Sequence, residues 1–250
     1  MLRSMYSGIS GMRNFQTKLD VIGNNVANVN TTGFKAGRVM FKDIMSQTLQ
    51  GAGTDPNGNI GGTNARQIGL GSALSAIDTV MNTGSTQTTN RALDFAIDGN
   101  GFFGVTNDNG TSVRYTRAGN FYFDSNGDLV TGDGWKVMGV GGVINMPDMA
   151  TVKSFSFDAN GNLTYVDGAG AAQQNVAQIA LYTFANPSGL EKIGGSLYQE
   201  TPNSGAANGT FPNDPANGTG PLSVGALEMS NVDLTNEFAE MIVAQRGFQA

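Results

Sequence analysis

The chain contains neither cysteine nor histidine. Their absence excludes disulfide scaffolds, thiol chemistry, zinc sites built from Cys or His, and every catalytic triad that needs a histidine base. Basic residues are sparse too: 14 Lys and Arg stand against 20 Asp and Glu, a formal charge of -6, with no Lys/Arg run anywhere. A phosphate backbone would be repelled, so nucleic acid is not an expected partner. Long apolar runs are also missing. No stretch is long enough to span a membrane, so membrane insertion is not expected. Residues 1–20 mix single apolar residues with Arg3, Ser4, Arg13, Asn14 and Lys18, unlike the unbroken apolar run of a secretory signal.

What is present is a chain of 250 residues, long enough for one large or two modest domains, with 39% hydrophobic residues. Its 36 Gly and 7 Pro point to many turns. The first segment reads as helix: Leu2, Met5, Ile9, Met12, Leu19 and Val26 follow a 3,4 alternation, and Phe15, Ile22 and Val29 widen the stripe. Such a stripe either packs on its own domain or pairs as a coiled coil. Asn24, Asn25, Asn28 and Asn30 with Gly33 are expected to end the helix, because these residues favour turns and left-handed geometry. Residues 31–71 read as a linker with an exposed loop over 51–64.

Residues 72–225 alternate short apolar and polar runs with turn signals, which predicts an antiparallel β domain. Two turns look like copies, Phe123-Asp124-Ser125-Asn126-Gly127-Asp128-Leu129 and Phe157-Asp158-Ala159-Asn160-Gly161-Asn162-Leu163. Each sets Asn-Gly between apolar runs, which predicts a type I′ hairpin with positive φ at both central residues. Residues 201–220 read as a long surface loop. From 226 to 250 the helical pattern returns. Ser230 with Asp233 forms a capping-box variant, and Leu234, Phe238, Met241 and Phe248 repeat the 3,4 spacing, joined by Ile242 and interrupted by polar Gln245. Two stripes thus bracket a β domain, and the simplest way to hide both is against each other. The second stops after barely two heptads, so the chain is expected to lack its natural end.

Three motifs point to chemistry and none is sustained by its context. Gly99-Asn100-Gly101-Phe102-Phe103-Gly104 matches a dinucleotide fingerprint, but a further turn follows instead of a helix; a strand-joining turn with Phe102 and Phe103 on opposite faces explains it. Asp124, Asn126 and Asp128 have calcium-loop spacing, yet Leu129 and Trp135 occupy the positions that need Gly and Glu. Asp94, Asp98, Asp124, Asp128 and Asp133 lie in one region and could in principle supply a glycosidase pair. The expected reading is no enzyme, no cofactor and no metal.

The run Asn24-Asn25-Val26-Ala27-Asn28-Val29-Asn30-Thr31-Thr32-Gly33-Phe34-Lys35 resembles the signature of the bacterial flagellar rod and hook proteins. Leu93-Asp94-Phe95-Ala96-Ile97-Asp98-Gly99-Asn100-Gly101-Phe102-Phe103 and Tyr115-Thr116-Arg117-Ala118-Gly119-Asn120-Phe121 agree in order. So do Glu228-Met229-Ser230-Asn231-Val232-Asp233-Leu234 and Gln245-Arg246-Gly247-Phe248-Gln249-Ala250. Residues 1–12 resemble the short hook protein of Gram-positive bacteria, with the distal rod subunit as the alternative and a β-rich surface binding module as a third. The resemblance implies a mainly β fold with helical termini. The helices, residues 1–30 and 226–250, pair in a coiled-coil-like inner domain; residues 72–225 form the outer domain, and the segment after Lys35 bridges neighbouring subunits. It further implies type III export without a cleaved signal and helical self-assembly into a hollow, flexible tube that transmits torque outside the cell. Rod, hook-cap and hook-filament junction proteins and the export apparatus are the implied partners.

Overall fold

The computed structural model describes residues 2–53, 61–108, 110–147, 152–168 and 170–249. The chain divides into two units. One comprises Met1–Ala27, Gly37–Thr79 and Asp233–Ala250, the other Asn28–Ala36 and Val80–Val232. Seven of the 14 basic residues fall in each, but 13 of the 20 acidic ones fall in the second, so the whole formal charge of -6 sits there.

The first unit holds both long helices, α1 (Leu2–Ala27) and α2 (Leu234–Gln249). Asn24 and Asn25 lie inside the last turns of α1 instead of ending it. Asn25 can do so because its side chain reaches away from its own backbone: Oδ1 accepts from Gly37 N at 2.9 Å and Nδ2 donates to Gly37 O at 2.9 Å. Asp233, not Ser230, caps α2. Its Oδ1 accepts from Thr235 N at 2.9 Å and its carbonyl from Glu237 N at 3.0 Å, whereas Ser230 Oγ accepts from Val232 N in the extended run before the helix.

The segment expected as a linker over 31–71 carries strands. Gly37–Asp43 pairs antiparallel with Ser72–Thr79, with a bulge between Met40 and Phe41, and Ser46–Gln50 pairs with Arg66–Gly69. The boundary expected at 71/72 therefore cuts through a hairpin. Its alternation was masked because both hairpins remain exposed along most of their length, leaving no apolar face to set a period of two. Only part of the loop expected over 51–64 lies among the described residues, where Gly53 and Thr63 exchange backbone hydrogen bonds at 3.1 and 2.8 Å.

The second unit is mostly antiparallel β. Its largest sheet runs in the order Glu191–Gly194, Leu197–Gln199, Val113–Thr116, Phe102–Thr106, Lys136–Gly139, Leu129–Thr131, Phe121–Phe123. Leu181–Thr183 joins it beside Phe102–Thr106 and pairs on its other edge with Asn208–Thr210, so the expected loop over 201–220 contains a strand. Ser154–Phe157, Asn162–Val166 and Ala172–Gln178 form a separate sheet. Phe102 and Phe103 part as strand alternation requires. Phe103 packs edge-on against Phe121 at 5.2 Å in the main core with Phe95, Leu129, Leu163 and Leu181; Phe102 joins Tyr115, Phe184 and Tyr198 in a second cluster.

The two Asn-Gly hairpins are copies in structure as well as in sequence, but they are not type I′. Gly127 and Gly161 take positive φ, 82° and 73°, while neither Asn126 nor Asn160 does. Gly127 N donates to Asp124 O at 2.9 Å and Asp124 N to Asp128 O at 2.9 Å, and the second copy repeats the pattern at 2.8 and 3.1 Å. This is a type I turn closed by a glycine bulge, in which only the glycine must be left-handed.

Asp128 fastens the first hairpin, accepting from Asn145 Nδ2 at 2.7 Å and pairing with Lys136 Nζ at 2.7 Å. Burial alone would raise its pKa, but the Asn145 amide and the Lys136 ammonium outweigh burial and hold it below 3.8. The stabilisation is therefore complete above that value and is lost as pH falls through the lower folded-state pKa. Acid titration of stability by circular dichroism should show a shallower decline below pH 3.8 for Asp128→Asn than for the parent chain; parallel curves would show that this carboxylate contributes nothing.

Candidate assembly elements

In the second unit, three charged side chains meet out of water. Glu228, on the strand Ala226–Glu228, is 1% exposed, Lys35 is 0% and Arg117 3%. Lys35 Nζ donates to Glu228 Oε1 at 2.6 Å and to Asn82 O at 2.7 Å. Arg117 reaches Glu228 Oε2 through Nη1 at 3.2 Å and Gly99 O through Nη2 at 2.9 Å. Gly84 N adds a bond to Glu228 Oε1 at 2.9 Å, and Gly33 N donates to the Glu228 carbonyl at 2.8 Å. One carboxylate thus binds two cations and a backbone donor. Burial lowers the pKa of both Lys35 and Arg117, and Glu228 opposes that shift in each.

The family-motif residues dispose themselves around this cluster. Gly33 takes φ +67°, and a Cβ there would lie 2.6 Å from Ala118 N, so the chain can pass only as glycine. The Phe34 ring sits under Lys192 Nζ at 4.7 Å, and Lys192 also donates to Lys35 O at 2.8 Å. Asn231 Oδ1 accepts from Ala36 N at 2.8 Å, and its Nδ2 donates to Val80 O at 2.8 Å. Asn28 accepts from Thr31 Oγ1 at 3.1 Å, while Asn24, Asn30, Gln245 and Arg246 lie exposed. Sequence reasoning missed Arg117, Glu228, Asn82 and Lys192 as partners of Lys35. Glu228 did carry a signal, a charge inside the apolar run Ala226-Leu227-Glu228-Met229.

In the first unit α1 and α2 pack antiparallel. Asn25 Nδ2 donates to Glu237 Oε1 at 3.0 Å, Lys18 pairs with Glu240, and the Phe15 ring lies on Gly247 so closely that a Cβ there would come within 2.6 Å of it. Ile22 and Ala244 are buried in this seam and Met241 is half-buried. The seam therefore follows Phe15, Lys18, Ile22 and Asn25, so Phe15 and Ile22 of the widened stripe lie in it while the Met5–Met12 part does not. Of that stripe, Leu19 and Val26 are half-buried, Met5 (63%), Ile9 and Met12 are exposed, and the Leu2 side chain lies outside the described ones. On α2, Leu234, Phe238, Ile242 and Phe248 are exposed. Within the described residues the seam runs from the Asn25–Glu237 hydrogen bond to the Phe15–Gly247 contact.

Comparison with known proteins matches three segments of the chain. "Flagella basal body rod protein" matches residues 5–35, "Flagellar hook protein FlgE/F/G D1 domain" residues 96–169, and "Flagellar basal body rod FlgEFG protein C-terminal" residues 223–250. The flagellar basal-body rod protein FlgG of Bacillus subtilis is 58% identical over 100% of this chain and 92% of its own length. The chain belongs to the flagellar rod and hook protein family. Its members include the FlgG rod protein of Borreliella burgdorferi, 37% identical over 100% of this chain and 92% of that protein. The hook protein FlgE of the same organism is 49% identical over 56% of this chain but only 31% of its own length. For a rod/hook family subunit, a structural protein and not an enzyme, the features to explain are those that fix segments in place and those left uncovered.

Replacing Glu228 by Ala would leave two buried cations without their anion, at a cost of about 3–5 kcal/mol. In urea titrations Glu228→Ala should lower the midpoint strongly, and the double variant Lys35→Met, Glu228→Leu should recover part of the loss. A single variant that unfolds like the parent would show the cluster to be energetically neutral.

Proposed function

We propose that this chain is a subunit of the flagellar basal-body rod, in the distal part that the family resemblance implies, polymerising helically with copies of itself. The observation that carries this reading is the extent of similarity: rod proteins align over the whole chain and over nine-tenths of their own length, hook proteins over little more than half of this chain. That favours the rod over the hook suggested by residues 1–12.

The uncovered faces of the helices support a polymer. Met5, Ile9 and Met12 on α1, and Phe238, Ile242 and Phe248 on α2, are large apolar residues that a soluble monomer would leave in water. In a stack of copies these stripes cover one another, with Leu2, Leu19, Ile22, Val26, Leu234 and Met241 completing the packed inner layer. Contacts of this kind are heterologous and do not close, so they propagate along an axis. The exposed hairpin Ser46–Gln50 with Arg66–Gly69 carries Leu49 and Ile68 outward and suits the bridging of neighbouring subunits. Other rod subunits and the hook stand at the ends of such a polymer, and passage through the type III export apparatus would place it there.

Immunogold electron microscopy with antibody against residues 80–232 decides between the two locations. Label on isolated basal bodies, on the shaft below the hook, is expected; label on the curved segment between cell and filament would return the hook reading. Ile9→Asp and Phe238→Asp should each abolish polymer formation while leaving the β unit folded, because each sets a charge in the helical layer. Intact rods from either variant would remove the stripes from the interface.

A further inference from the structure

The repeated turn motif extends beyond its two hairpins. In the first copy Phe123 stands opposite Leu129, Tyr122 opposite Val130 and Phe121 opposite Thr131. In the second, 34 residues further on at every position, Phe157 stands opposite Leu163, Ser156 opposite Thr164 and Phe155 opposite Tyr165. A third strand then lies against the second strand of each copy in the same register. Asp128 faces Asn145, and Leu129 N donates to Ile144 O at 3.0 Å. Correspondingly, Asn162 faces Gln178 and Leu163 faces Ala177.

This third strand also closes the turn. Backbone carbonyls at a bulged turn need donors from outside the hairpin ladder, and here both come from consecutive residues of the third strand. In the first copy Met146 N donates to Gly127 O at 2.8 Å and Asn145 Nδ2 to Asn126 O at 3.1 Å. In the second, Ile179 N donates to Gly161 O at 2.9 Å and Gln178 Nε2 to Asn160 O at 2.9 Å. The bond is the same although the residue that makes it differs. Both copies also face one core, to which the first brings Leu129 and Met146 and the second Leu163 and Ile179, with Phe95 between Phe121 at 5.9 Å and Phe157 at 4.9 Å. What differs lies outside this frame. The strand Lys136–Gly139 stands between the second and third strands of the first copy, where Lys136 pairs with Asp128; Asn162 takes the place of Asp128 in the second.

We infer that residues 121–146 and 155–179 are one three-stranded module built twice, in which Asn145 and Gln178 are equivalent positioning residues, each fastening a glycine-bulged turn through its side-chain amide. Each turn is held locally by its own third strand, and the two turns are interchangeable. The inference does not depend on the place of the chain within the flagellum.

Amide hydrogen exchange on the full chain tests it. Gln178→Met keeps the stem of the side chain and removes the donor. Exchange at Gly161 and Ile179 should quicken by about threefold to tenfold, as loss of one hydrogen bond allows, with Gly127 and Met146 unchanged. Asn145→Leu should do the reverse. If packing alone held the turns, neither variant would alter exchange. Grafting the first turn onto the second, Ala159→Ser with Asn162→Asp, offers Gln178 the carboxylate partner that Asn145 has in Asp128. That double variant should keep a melting temperature within about 3 °C of the parent. The inference is overturned if either single variant leaves its own turn unchanged, if it quickens both turns equally, or if the graft lowers the melting temperature by more than that.

Discussion

A carboxylate taken out of water must find its compensation in the protein, and in the second unit the buried carboxylate of Glu228 finds it in three separate segments. It gathers Lys35 from the segment that leaves the first helix, Gly84 from the segment that leaves the exposed hairpins, and Arg117 from the main sheet. The backbone of the same residue holds Gly33. What positions them is a short set of charge-assisted bonds, directional in a way that apolar packing is not. An ion group of this kind gives little net stability compared with apolar residues of the same shape; its value lies in permitting one arrangement.

The helices follow the opposite logic. Their seam is short, includes the polar pair Asn25–Glu237 and the ion pair Lys18–Glu240, and uses small residues, Ala244 and Gly247, for close approach. The larger apolar side chains are spent elsewhere, on faces that remain open within a single subunit. A chain that stabilised itself by pairing those faces internally would have nothing left to offer a neighbour. Division of labour between a polar internal seam and an apolar external one is the arrangement a self-assembling subunit requires.

Much of this was legible in the sequence. The 3.6-residue period gave both helices, and turn residues placed the two copied hairpins, because these signals depend on neighbours in the chain. The strands in 37–50 and 66–79 were not legible, since exposure on both faces leaves no alternation to detect. Nor was the helix seam: Phe15 and Ile22 looked like the margin of a stripe, and its expected centre, Met5 to Met12, is exposed. Lys35 stood out through a family motif, but Glu228 and Arg117 could not be joined to it by any local pattern. They are 193 and 82 residues away, and only the folded chain brings them together.

That separation has a consequence for any process in which the chain emerges from its beginning. Most pairings of the β unit are hairpins between near neighbours and can form as soon as each stretch is available. Lys35, by contrast, must wait for residue 228, and the strands Phe95–Ile97 and Thr86–Thr88 must wait for Leu222–Val224 and Ala226–Glu228. Until then the early segments hold a cation with no anion to accept it, and the sheet keeps open edges. The β unit is therefore latched by residues 222–228, a clasp that stays undone while the stretch between residue 35 and residue 222 emerges and closes only afterwards.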